Sequence, residues 1–278
     1  MNLFKKNLLA IYQKDKYNMP KKNIVIFLLG IVWVIALWFI CQTLPTLIVH
    51  VADNSKELSP NVSYLLMALG NCIAAFVTWF FFIRKNKKHC PRVIKKMSKI
   101  ECGSGLFFHL AVSGLISIIV DLIKSTGLFS TAAAVENLVT ASIWVQILLS
   151  VFSAAIAEEL LLRECIQNRF MARFNSVWAI IIPGIIFGII HGNISQLITA
   201  GVSGIVYCFI YAKTRSLTTV ILAHMLNNLV ALLQANYVTN DPTKPAYWIC
   251  TIIIVLASAV LSVPFIKGEA AEIDNAEA

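Results

Sequence analysis

Residues Asn23–Val49 read NIVIFLLGIVWVIALWFICQTLPTLIV, 27 positions without one charged side chain. A helix needs about 20 apolar residues to cross the hydrocarbon core of a bilayer, so this stretch is long enough to span. Seven further apolar runs follow it: Val62–Ile83, Ser104–Ile123, Ile143–Arg163 or somewhat beyond, Val177–Ile190, Ser195–Ala212, Leu217–Gln234 and Tyr247–Ile266. The fifth run is short and interrupted by Pro183 and Gly184. Backbone groups in lipid must be paired within the segment, which makes these runs helices rather than open strands. Of the 278 residues 58% are hydrophobic and only 13% charged, with a mean hydropathy of +0.77. Soluble domains carry about 25% charged residues, so too few polar side chains remain here to cover a water-facing surface. The expected fold is all-α, a polytopic membrane bundle of about eight transmembrane helices. A secreted disulfide scaffold, a nucleic-acid module and a cytosolic enzyme are excluded.

The net charge of +9 is placed as membrane topology requires rather than as a nucleic-acid surface. With the N-terminus in the cytoplasm, six basic residues precede the first span and eight fall in the loop 84–101. Three lie in 163–173, two are Lys213 and Arg215, and one is Lys267. That puts 20 of 23 inside, against Lys56, Lys124 and Lys244 outside, so both termini are expected in the cytoplasm. The chain divides into a basic N-terminal segment (1–22), three accessory helices with the basic loop (23–142), a polar-bearing core (143–235), a last helix (236–266) and an acidic tail (267–278). The tail is expected to be disordered. The basic loop 84–101 reads first as a topology signal, with binding of anionic headgroups of the membrane lipids as the alternative. The first 22 residues do not look like a cleavable signal peptide. The seven cysteines form no CxxC pair and read as small buried apolar residues.

Ionisable residues within a span are expensive and need a partner or a purpose. The fourth span contains Glu158-Glu159-Leu160-Leu161-Leu162-Arg163. Glu159 and Arg163 are four apart, on one helix face, and can pair. Glu158 points about 100° away and gains no cation from Arg163, which leaves its carboxylate for general-base chemistry. A helix end emerging into the cytoplasm would also account for this cluster. The fifth span carries Gly184, Gly188 and Gly192 at four-residue spacing, a bare face for close helix contact, with Phe187 and His191 beside it. His191 is either a packing residue or part of a site. On the seventh span His224 and Asn228 share a face and offer two hydrogen-bond donors to a developing oxyanion, or to a neighbouring helix as glue. At 1.5 Å per residue, Glu158, His191 and Asn228 each lie roughly 15–20 Å into their spans, so the three sets can meet in one layer.

Glu-Glu-x-x-x-Arg at 158–163, Phe-x-x-x-His at 187–191 and His-x-x-x-Asn at 224–228, in that order, resemble the CPBP family. This family comprises CAAX prenyl endopeptidases and bacteriocin-processing (Abi) proteins. Each motif is weak alone, but the ordered set on a polytopic chain is specific. It covers about residues 143–235 and departs from the family pattern at none of these positions. The resemblance implies intramembrane endoproteolysis. Glu158 would activate the attacking water with His191 beside it, while His224 and Asn228 would stabilise the oxyanion. Glu159 and Arg163 would form the structural pair, and Phe187 would pack or orient the site. The family is often labelled metalloprotease, and Glu158, His191 and His224 would make a His₂Glu zinc set. No HExxH is present, and neither histidine has a sequence-adjacent carboxylate behind it. The expected mechanism therefore needs no cofactor, with zinc as the alternative.

The expected substrate is a peptide or protein tail in the bilayer, whether a prenylated tail or a leader peptide. A non-enzymatic scaffold or bacteriocin self-immunity protein, bound to a membrane-protein partner, is the competing class. A transporter would need an inverted repeat with paired broken helices, and no second Glu-Glu-x-x-x-Arg copy exists. Among the leftover polar groups, His50, His89 and His109 are expected to be interfacial, and Asp121 is expected to reach water. Tyr207 and Tyr211 face either the site or an interface.

Overall fold

The computed structural model describes residues 24–52, 58–84, 92–95, 97–125, 139–192, 194–239, 241–269 and 272–274. Among the described residues eight long helices follow one another: α1 (Ile24–Ala52), α2 (Pro60–Ile83), α3 (Lys99–Ser125), α4 (Ile143–Met171), α5 (Ser176–Ile190), α6 (Ile194–Thr214), α7 (Leu217–Val238) and α8 (Pro245–Leu261). A one-turn helix, α9 (Val263–Lys267), follows directly. Each expected span is a helix. Six are long and apolar enough to cross a membrane, and α5 and α8 are shorter apolar helices. Local chemistry sets the starts. Ser59, Asn175 and Ser216 accept from the backbone N–H groups of Val62, Trp178 and Thr219, and Pro60 and Pro245 open α2 and α8 where a missing N–H costs nothing.

Large apolar side chains cover the outside: Trp33 and Leu256 are each 62% exposed and Val260 72%. A surface of this kind is stable only against lipid, and the molecule is an integral multi-pass membrane protein. The interior is built around α4, whose Ala155, Ala157, Leu161, Leu162 and Ile166 are fully enclosed. α4 is also wound unevenly. Turns with the wider π geometry occupy Ile147–Ala154 and Leu160–Gln167, on either side of an ordinary α turn, Ala155–Glu159. Such widened turns favour functional sites because they re-aim side chains.

α5 and α6 touch through their backbones. A Cβ added at Gly188 would lie 2.5 Å from the Leu197 carbonyl oxygen and 2.9 Å from Gly201 Cα, and one at Gly204 would lie 2.8 Å from the Gly184 carbonyl oxygen. Of the glycine face read from the sequence, Gly184 and Gly188 make a true close approach, whereas a Cβ at Gly192 would meet nothing within 4 Å. α5 stops immediately after His191 because Gly192 adopts φ +75°, the left-handed conformation that ends helices.

Several expectations change. α4 runs to Met171, so the alternative reading of Glu158 and Glu159 as a helix end emerging into the cytoplasm does not hold. Asp121 does not simply reach water, because it accepts a hydrogen bond from the Tyr247 hydroxyl of α8. His109 is not interfacial but fully enclosed. His50 is at the exposed end of α1, while His89, Cys90 and residues 1–22 fall outside the described residues. Within the tail expected to be disordered, Glu272–Asp274 forms an antiparallel strand pair with Arg92–Lys95 of the basic loop. Its register sets Arg92 opposite Asp274 and Lys95 opposite Glu272.

Candidate active site

Four helices bring the three motifs together. The α turn of α4 presents Glu158 and Glu159, α5 ends in Phe187 and His191, α6 contributes Tyr207 and α7 contributes His224. Glu159 and Arg163 are both completely buried and form the expected pair, Nε to Oε2 at 2.6 Å with Nη2 to Oε1 at 3.4 Å. Arg163 Nη1 donates to the Gly204 carbonyl and Cys208 Sγ, and the guanidinium lies 5.9 Å from the Phe187 ring and 5.7 Å from the Tyr207 ring. A desolvated ion pair holds only when further hydrogen bonds support it, and four of the five guanidinium donors are engaged here.

Glu159 has a second partner that the sequence does not disclose. His224 Nδ1 lies 3.0 Å from Glu159 Oε1, so the ring donates its Nδ1 proton to the carboxylate. This fixes the tautomer and turns Nε2 toward Glu158, whose Oε2 is 3.9 Å away. That gap is too long for a hydrogen bond, yet one oxygen atom could touch both at about 2.8 Å. Glu158 keeps a side-chain exposure of 13%, whereas Glu159 has none. Adjacent carboxylates thus occupy different environments, one locked to a guanidinium and a histidine, the other open to a reactant.

His191 Nδ1 lies 2.7 Å from the Phe187 carbonyl oxygen, which can only accept, so this ring too is held as an Nδ1–H donor. Phe187 floors the site, edge-on to His191 at 4.7 Å and to His224 at 5.7 Å. Asn228 lies one turn beyond His224, and its Nδ2 donates to the Ser150 carbonyl of α4 at 2.8 Å. Asn227 beside it accepts from Ser113 of α3. Glu158, Glu159, Arg163, Phe187, His191 and His224 therefore converge, while Asn228 borders them with one amide proton committed to the scaffold. Tyr207 stacks on His224 at 5.0 Å, which resolves the open reading of that residue. Tyr211 belongs elsewhere, donating to Glu164.

A metal fits this arrangement poorly. The carboxylate behind His224 and the carbonyl behind His191 are partners of the kind that orient metal-bound histidines. Among the described residues, however, no three His, Cys, Asp or Glu side chains converge closely enough to hold an ion. Glu158, His191 and His224 do not form the zinc set in this geometry, and no step below runs through a metal.

What the fold and site define is a membrane-embedded constellation of two carboxylates and two histidines, in which Glu159, His191 and His224 are each held by a second group. Comparison with known proteins then narrows the class. Residues 140–230, which carry all three motifs, match the family described as "Type II CAAX prenyl endopeptidase Rce1-like". A Bacillus subtilis (strain 168) protein bearing the name "Putative membrane peptidase YdiL" is 32% identical over 95 residues, 34% of this chain and 39% of that protein. The match thus spans about two fifths of that relative's length. No solved structure matches. The residues that resemble the CPBP family by their three motifs are thus the same residues that are similar to this family model and to this relative.

Proposed function

We propose that the protein is an intramembrane endopeptidase that hydrolyses a peptide bond in a membrane-associated peptide or protein tail. The observation that carries this reading is His224 held between two carboxylates, Nδ1 on Glu159 and Nε2 facing Glu158. Glu158 takes a proton from water as the oxygen attacks the scissile carbonyl, and later returns it to the departing amine. With Nδ1 held on Glu159, His224 in its doubly protonated form donates to the developing oxyanion through Nε2–H. Asn228 adds its second amide proton, since its first is engaged with Ser150. His191 orders the attacking water from the end of α5. Water, rather than a side chain, is the nucleophile, so no covalent intermediate forms.

The substrate class follows the family resemblance. Leader peptides of bacteriocins or signalling peptides are the first candidates and prenylated tails the second, with a bacterial cell membrane as the location. Purified protein in lipid vesicles, incubated with leader peptides and with prenylated and unprenylated tails, is expected to yield two fragments of one class, read by mass spectrometry. Activity that survives chelation supports the metal-free mechanism, and loss restored by zinc overturns it. Failure to cleave any class, with cellular function intact in a Glu158→Gln variant, would favour the scaffold or immunity role.

A further inference from the structure

His109 is a polar side chain at the site that the reaction above leaves unused. It comes from α3, outside the family match, and it is fully enclosed. Its ring lies parallel to Tyr207, centroids 3.8 Å apart and planes within 9°. Neither ring nitrogen of His109 has a hydrogen-bond partner among the described residues, and neither does the Tyr207 hydroxyl. No hydrogen bond among the described residues therefore anchors either ring: Tyr207 is held between the His109 face, the Phe187 edge at 6.3 Å and the Arg163 guanidinium, and His109 is held by the stack. Tyr207 stacks in turn on His224, centroids 5.0 Å apart and planes at 28°. The hydrogen bond from Nδ1 to Glu159 tethers His224 at one point only, about which the ring could still rotate and swing Nε2 away from Glu158. The face of Tyr207 blocks that rotation.

We propose that His109 is a positioning residue for His224, acting through the ring of Tyr207. This rests on the peptidase reading for its kinetic consequence but not for its structural one. The test compares His109→Ala, which removes the ring, with His109→Phe, which keeps a flat ring and removes the nitrogens. In vesicles, at matched protein levels, His109→Ala is expected to lower kcat about tenfold with KM unchanged, because small misplacement of a reacting group is costly. His109→Phe is expected to restore kcat to within about threefold of wild type. Tyr207→Leu alone and combined with His109→Ala are expected to be equally slow, as for residues acting in series. Nitrogen-15 histidine spectra of the full-length protein give an activity-free readout. The His224 resonances are expected to shift in His109→Ala and to remain in place in His109→Phe. Unchanged resonances and kcat in His109→Ala overturn the proposal, as does a purely KM effect or a His109→Phe variant as impaired as His109→Ala. If Glu158→Gln still cleaves, the peptidase reading fails separately, and the spectra alone decide the role of His109.

Discussion

Replacing Arg163 by methionine removes the cation from a fully buried ion pair. Both side chains have zero exposure, and Glu159 would keep only His224 as a partner. Methionine fills much of the arginine stem's volume, so the cost comes from stranding a carboxylate rather than from an empty space. Breaking a buried pair from one side typically costs about 3–5 kcal/mol. For a chain of this size that corresponds to a fall in Tm on the order of 10 °C. The assay is thermal unfolding in detergent, followed by intrinsic fluorescence, with Arg163→Met, Glu159→Gln and the double variant side by side. The double variant leaves no buried charge at the pair and is expected to recover much of the loss, because removing both partners is far less costly than removing one. A single variant as stable as wild type, or a double variant less stable than either single one, would show that the pair does not hold the core as argued.

Two further outcomes follow from the same geometry. Glu159→Gln keeps the shape but exchanges a carboxylate that orients His224 for a neutral amide, and is expected to lower kcat roughly 10²-fold with little change in KM. A KM effect at constant kcat would place Glu159 in substrate binding instead. Gly188→Val puts two methyl groups where the Leu197 carbonyl and Gly201 Cα already sit, so α5 and α6 must separate. Overpacking of this kind costs about 1–3 kcal/mol. Because Phe187 and His191 ride on α5, activity is expected to fall with stability, whereas wild-type stability would mean the helices do not meet there.

The spans were legible because the membrane imposes one strong rule, a long run without charge, and the chain obeys it in Asn23–Val49 and its successors. The Glu159–Arg163 pair was legible because a four-residue spacing is local geometry. What could not be read was set by other helices. His224 reaches Glu159 across 65 residues, so a carboxylate absent from its sequence neighbourhood is present in space. His109 looked interfacial because it lies within three turns of a helix start, and only packing against α6 reveals it as part of the site. Asn228 read as a free donor because the Ser150 carbonyl that takes one of its protons is a backbone atom, which any sequence would supply. The tail pairing with the basic loop is likewise a long-range contact with no local signal beyond opposite charge.

Glu158 is the group on which the mechanism turns, the carboxylate without a guanidinium that faces His224 Nε2 across 3.9 Å. The direct measurement is the rate of peptide cleavage by Glu158→Gln and wild type in the same vesicles, at equal abundance and equal Tm. The substitution keeps the side chain's shape and removes its capacity to accept a proton from water. Cleavage by wild type and none by Glu158→Gln is the predicted result. Cleavage at the wild-type rate by the Gln variant would contradict the assignment of Glu158 as the base.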